Sequence, residues 1–294
     1  MRFSTLRELS DLAATENKPI SQIMIEEQMR ETGESRATIL SKMGLQFEVM
    51  EEAVEQGVTA TVRSHSGLTG GDAKKVYDYQ KDGKSVLGSQ AALAMSMALA
   101  VSEVNAAMGR VVATPTAGSC GILPGVLVSI GRVHNIPKET LIQSMFTAGA
   151  IGYVIANNAS ISGAGGGCQA ETGSATAMAA GSVVELFGGT PEQVIISAGL
   201  ALKNVLGLVC DPVAGLVEVP CIIRNGFAAV AALTAADMAL AGMKSVIPPD
   251  EVVSAMYHVG RIMPVELRET ALGGLADTPT AKAIEKKLYG NEFR

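Results

Sequence analysis

At 294 residues, with 48% apolar and 18% charged side chains and a mean hydropathy of +0.29, the chain has ample material for a buried core and lies far from the composition of disordered proteins. A net charge of −6 (29 acidic against 23 basic residues) and a pI near 5.2 exclude the basic footprint of a dedicated nucleic-acid binder and suit anionic membranes as poorly. Aromatic residues reach only 4%, with no Trp, against 32 Gly and 14 Met, so Ala, Val, Leu, Ile and Met must fill the core, with backbones approaching closely at Gly.

Charges within Met1–Ser10 break the apolar run a secretory signal needs, which predicts a cytoplasmic protein. Its four cysteines, Cys120, Cys168, Cys210 and Cys221, are then expected to be reduced. Pro19 suits the first turn of a helix carrying Ile23, Met24 and Met29. Next, Ile39, Met43, Phe47, Met50 and Val54 recur at helical steps and form one apolar stripe, with Gly57 as the expected stop. Gly67, Gly70 and Gly71 then signal irregular backbone. From Leu87 onward few charges fall on any helix face, as expected of helices in the middle of a protein. Thr190-Pro191-Glu192-Gln193 has the form of a capping box, and Pro248-Pro249-Asp250 precedes a helix to about Met263. Period-two alternation is scarce. The expected fold is all-α, one domain over 1–294, with an amphipathic helical layer at 1–57 and a site-bearing core at 85–294. The apolar stretches Phe227–Met243 and Leu141–Ile161 are interrupted by Asp237 and by Gln143, Asn157, Asn158 and Ser160, which argues against membrane spans.

Three Gly-rich polar segments interrupt the apolar helices, at 114–121, 157–168 and 210–221, and each contains at least one Cys. Irregular backbone inside an apolar domain must be satisfied, so such loops line sites. An isolated thiol is most often an inert core group. Cys168 and Cys221, however, each follow a helix-breaking residue and open a helical pattern, where a thiolate is favoured and a lowered pKa expected. Cys210 lies where the helix begun at Thr190 gives way to Asp211-Pro212. The spacings match no zinc knuckle, and His65, His134 and His258 lie outside these loops, so an all-thiolate set favours an iron–sulfur cluster over zinc.

The segments SGLTGGDA (66–73), EVNAAMGRVVATPTAGSCGILPG (103–125), NNASISGAGGGCQAETGSA (157–175), NVLGLVCDPVAGLVEVPCIIRN (204–225) and LRETALGGLA (267–276) resemble the iron–sulfur-dependent L-serine dehydratases, in particular the separate alpha chain of the two-subunit form. That resemblance covers nearly the whole chain. It implies dehydration of L-serine to pyruvate and ammonia, and a [4Fe-4S] cluster held by Cys168, Cys210 and Cys221, with Cys120 a buried thiol nearby. Thr114, Thr116 and a nest of N–H groups over 118–121 are candidates for the substrate carboxylate, and Asn158, Ser160 and Ser162 for its amino and hydroxyl groups. Each of these side chains is equally suited to bonding its own loop. Arg224 suits either a fork onto the carboxylate or an ion pair with Asp211 or Glu218. His65 is the candidate general base within this chain.

Single-chain relatives of that family carry a histidine-bearing segment in an extra domain, and some end in a Cys. This sequence shows neither, ending in Tyr289–Arg294, which predicts a separate beta chain docking over 114–121 and 157–168. Two other readings remain at this stage. One is a pyridoxal-phosphate dehydratase with Gly163–Gly167 as phosphate cup and Lys203 as the nearest lysine; the other is a non-enzymatic helical scaffold.

Overall fold

The computed structural model describes residues 1–290; the four residues after them, where the expectation of no terminal Cys ligand falls, lie outside the described part. Among the described residues, thirteen α-helices and three short 3-10 turns make up the regular structure, and there is no strand, only an isolated bridge between Cys210 and Arg268. The all-α expectation holds.

The N-terminal layer is α1 (Leu6–Thr15), α2 (Ile20–Thr32) and α3 (Arg36–Thr59). Thr5 and Glu8 form a reciprocal capping box at the start of α1, and Gly33 ends α2 at a φ of 71°. Pro19 is the N-cap of α2 rather than a residue of its first turn. The stripe on α3 faces inward as expected: Ile39, Phe47, Met50 and Val54 are buried. Gly57 does not stop that helix, which runs on to Thr59. A Cβ at Gly57 would stand 2.6 Å from Ala100, so its lack of a side chain serves a close helix crossing instead.

Helices α4 (Asp72–Lys81), α5 (Gly88–Ala106), α6 (Ile122–His134) and α7 (Lys138–Asn158) follow, and then the single turn α8 (Gly163–Gly166). The start of α4 has no side-chain cap of its own. Glu103, buried on α5, accepts instead from the backbone N–H groups of Gly71, Asp72 and Ala73 at 3.0, 2.7 and 3.1 Å. Helix α9 (Cys168–Leu186) is the centre of the molecule: every residue from Cys168 to Val184 is buried. Its Ala, Gly and Ser side chains let α7, α10 (Pro191–Lys203) and α11 (Cys221–Leu240) pack around it. The capping box at Thr190 is present in full, and α12 (Pro249–Ile262) starts at the second proline of its signal. Helix α13 (Pro279–Tyr289) lies against the 3-10 turns at 213–215 and 274–277.

One helix, α11, is long and apolar enough to cross a membrane by length and composition, and half of its most apolar window is buried in the fold. The Leu141–Ile161 stretch lies mostly in α7, whose residues from Leu141 to Ile155 are largely buried.

Candidate thiol-lined active site

Cys168 and Cys221 are the first residues of α9 and α11, as expected. Gly167 leads into α9 at a φ of 77°, and a Cβ there would lie 2.8 Å from the Leu208 carbonyl. This close approach lets Gln169 N donate to Leu208 O at 2.9 Å while Gly207 N donates to the Gln169 side chain at 2.9 Å. The loop leading to Cys210 is thereby fixed to the first turn of α9. Cys210 is clamped by the segment beyond α12: its N–H donates to Leu267 O at 2.8 Å, and Glu269 N donates to Cys210 O at 2.7 Å.

The three thiols are buried, and the sulfurs of Cys168 and Cys210 lie with a Glu171 carboxylate oxygen within 4.8 Å of one another. Glu171, one helical turn after Cys168, is a member of this group that sequence reasoning missed; the i, i+3 spacing on a buried helix was the available signal. Thr116 donates to Glu171 through its hydroxyl. A Cβ on Gly118 would lie 2.4 Å from the Glu171 carboxylate, so glycine lets that loop close over the carboxylate without displacing it. Asn225, buried on α11 and also missed, joins the same loop to the first turn of α11: Gly121 N donates to its Oδ1 at 3.0 Å, and its Nδ2 donates to Gly118 O at 2.7 Å.

The electrostatics differ among the thiols. Cys210 donates to Cys168 and, with the Arg224 guanidinium, holds the Cys168 thiol below its ordinary value against the opposing effect of burial. Cys210 is pushed up by giving that hydrogen bond and by burial. Cys221 is also pushed up, by burial and then by the charges of Cys168 and Glu171, so the lowered value expected at a helix N-terminus does not arise there. Burial raises the Glu171 carboxyl, with the Thr116 and Gly118 hydrogen bonds acting against it. Cys120 is fully buried and raised to about 12 by burial, as suits an inert packing thiol.

The other expected contacts divide. Thr114 is buried, and its hydroxyl has no hydrogen-bond partner. Three of the four N–H groups of the expected nest are engaged: Gly118 N serves Glu171, Cys120 N serves Ala117 O, and Gly121 N serves Asn225. Asn158 donates to Ser4 O and Val154 O at 2.7 and 2.8 Å, tying α7 to the N-terminus. Ser162 caps α8, accepting from Gly165 N at 3.1 Å, and Ser160 accepts from Ser162 N at 3.2 Å; a Cβ on the next residue, Gly163, would lie 2.7 Å from the Cys210 sulfur. His65 is exposed and lines a surface pocket with Asn105, Ala117 and Glu218, outside the thiol group. Arg224 pairs with Asp211 at 2.9 Å, whereas Glu218 accepts from Thr69 at 2.8 Å. Lys203, the last residue of α10, donates to Ser245 at 2.8 Å, and Gly163–Gly166 is wound into a helical turn.

The sequence pattern of the serine dehydratase alpha chain family matches residues 15–276. The chain belongs to that family. It is 52% identical over 288 residues to the probable L-serine dehydratase alpha chain of Bacillus subtilis (strain 168), covering 98% of this chain and 96% of the relative. To the L-serine dehydratase alpha chain of Peptoniphilus asaccharolyticus it is 43% identical over 284 residues, covering 97% of each. A match to the L-serine dehydratase of Streptomyces coelicolor is 42% identical and covers 93% of this chain but 60% of that longer protein. The thiol-lined group thus lies in a serine dehydratase alpha chain fold, with donors suited to a metal.

Proposed function

We propose that this chain is the alpha chain of a cytoplasmic L-serine dehydratase, forming pyruvate and ammonia from L-serine, with Cys168, Cys210 and Cys221 holding a [4Fe-4S] cluster. The observation that carries this reading is the buried group of Cys168, at a helix start, and Cys210, on a clamped loop, with Cys221 opening α11 within electrostatic reach of Cys168, in a chain aligned along nearly its whole length with proteins named for that reaction. The donor set is compatible with such a group: the soft sulfurs of Cys168 and Cys210 beside one carboxylate, Glu171, without a histidine among them, and a Gly163 whose side chain would have crowded Cys210.

Loss of water from serine needs a weakly acidic Cα proton removed and a poor leaving group expelled. When bound, a cluster with three protein thiolates supplies a Lewis-acidic iron for the serine hydroxyl. The chain's own residues surround that chemistry. Thr114 offers the unengaged hydroxyl among the candidate substrate contacts, in a buried position suited to a carboxylate oxygen. Thr116 orients Glu171, and burial favours a proton on the Glu171 carboxyl beside the thiols. The loops at 114–121 and 157–168 border the group from two sides and are where a separate beta chain would exclude water and bring the base that takes the Cα proton. The Bacillus and Peptoniphilus relatives, matched over 96% and 97% of their own length, are named alpha chains, which supports a division of the enzyme between two polypeptides here.

The test is anaerobic reconstitution, reading iron content and pyruvate formation together. Replacing Cys168, Cys210 or Cys221 by Ser is expected to remove stoichiometric iron and activity, while Cys120→Ser keeps its iron. Full iron retention in Cys210→Ser overturns the ligand assignment. Activity of the loaded chain should rise on adding the beta chain; a full rate without it defeats the two-chain reading.

A further inference from the structure

Arg224 is 17% exposed and sits three residues after Cys221, on the first turn of α11. Its Nη1 donates to the Cys168 sulfur at 3.5 Å and to the Val209 carbonyl at 2.8 Å, and its Nη2 meets Asp211 at 2.9 Å. Val209 and Asp211 are the two neighbours of Cys210. One guanidinium therefore touches or flanks all three thiol-bearing segments. The chain holds Asp211 in turn: its other oxygen accepts from Leu275 N at 2.7 Å, and Gly274, at a φ of 60°, passes so close that a Cβ would lie 2.5 Å from it. The 267–276 segment thus contributes the backing of this ion pair as well as the clamp on Cys210.

We infer that Arg224 is the positioning residue of the thiol centre, holding the Cys168, Cys210 and Cys221 segments in register through its fork and donating a hydrogen bond to the Cys168 sulfur, instead of binding the substrate carboxylate. The inference rests on the proposed cluster reading and adds to it a residue that acts through the ligands. A planar five-donor fork serves several acceptors in fixed directions, which a lysine ammonium does not. Outer hydrogen bonds of this kind orient ligands, and donors to sulfur draw charge from it and so set a cluster's affinity and potential.

The experiment compares cluster-loaded wild type, R224Q and R224K, each assembled with the beta chain and prepared anaerobically. Three quantities are read: the rate of iron release to a chelator, the midpoint potential of the cluster, and KM for L-serine. R224Q is expected to release iron roughly ten- to a hundredfold faster, the range seen when outer-shell partners of metal ligands are removed. Its potential should fall, while KM per loaded site stays within about twofold, because binding energy toward the substrate is untouched. R224K, which keeps the charge but not the fork, should recover part of the retention. It also carries the test if R224Q fails to fold by circular dichroism. A KM raised tenfold or more, with release rate and potential unchanged, makes Arg224 a substrate residue and overturns the inference. Unchanged values of all three in folded variants overturn it as well. Wild-type protein without iron–sulfur absorption instead overturns the cluster reading beneath it.

Discussion

Gly118 and Gly163 are positions where a single added carbon would reach the site directly. A Cβ on Gly118 would intrude on the Glu171 carboxylate, and one on Gly163 on the Cys210 sulfur, at 2.4 and 2.7 Å. Neither has the left-handed backbone that demands glycine, so alanine is allowed locally and the cost falls on the neighbour that must move. Gly163→Ala is therefore expected to fold normally yet hold iron roughly tenfold less tightly, as misplacing a ligand does. Equilibrium iron binding beside a thermal melt checks this, and unchanged affinity would show that Cys210 can yield. Sequence alone showed these glycines only as a loop signal. What each one faces comes from chain segments about 50 residues away, and no local pattern encodes that distance.

At the scale of elements, what the sequence displayed was whatever is written within a few residues. The capping box at Thr190, the start of α12 after Pro248 and the openings of α9 and α11 at Cys168 and Cys221 were all legible, because caps are local bonds. The start of α4 was not, since its acceptor is Glu103, some 30 residues onward on another helix. Gly57 misled for the same reason: a stop signal in one chain is a crossing point once Ala100 is present. Glu103→Ala leaves three N–H groups of α4 without their acceptor, in a position where water reaches them poorly. The expected loss is about 1–3 kcal/mol, measured as a shift in urea midpoint, with faster amide exchange confined to 71–73. The carboxylate also fixes the loop bearing Thr69, whose bond to Glu218 links this region to the 210–221 loop. A melt that left that loop's exchange untouched would show the two to be independent.

For the molecule as a whole, buried carboxylates set the pH dependence of stability. Burial raises Glu103, Glu171 and Glu185 above the ordinary 4.5, so each binds its proton more tightly in the folded chain than in the unfolded one. Their contribution is complete below 4.5 and is lost as pH climbs through the folded values. Glu185 accepts from Ser21 N at 3.2 Å, a role glutamine can keep. Glu185→Gln should therefore be more stable than wild type at about pH 8 and equal to it at about pH 4.5, by denaturant titration; a difference that grows on acidification would reverse the sign. The all-round burial of α9 has a mechanical counterpart. A helix covered mostly by Ala, Gly, Ser and Thr is a nearly smooth shaft, and a smooth shaft turns or slides unless it is keyed. The keys are polar: Gln169 reaches Met256 O at 3.0 Å beside its bond from Gly207, and Ser182 reaches Ser144 O at 2.9 Å near the other end. A slip of one residue would swing Cys168 by about 100° around the axis. The aim of that thiol is thus set by an amide one position away, locked into a keyway cut in two other segments of the chain.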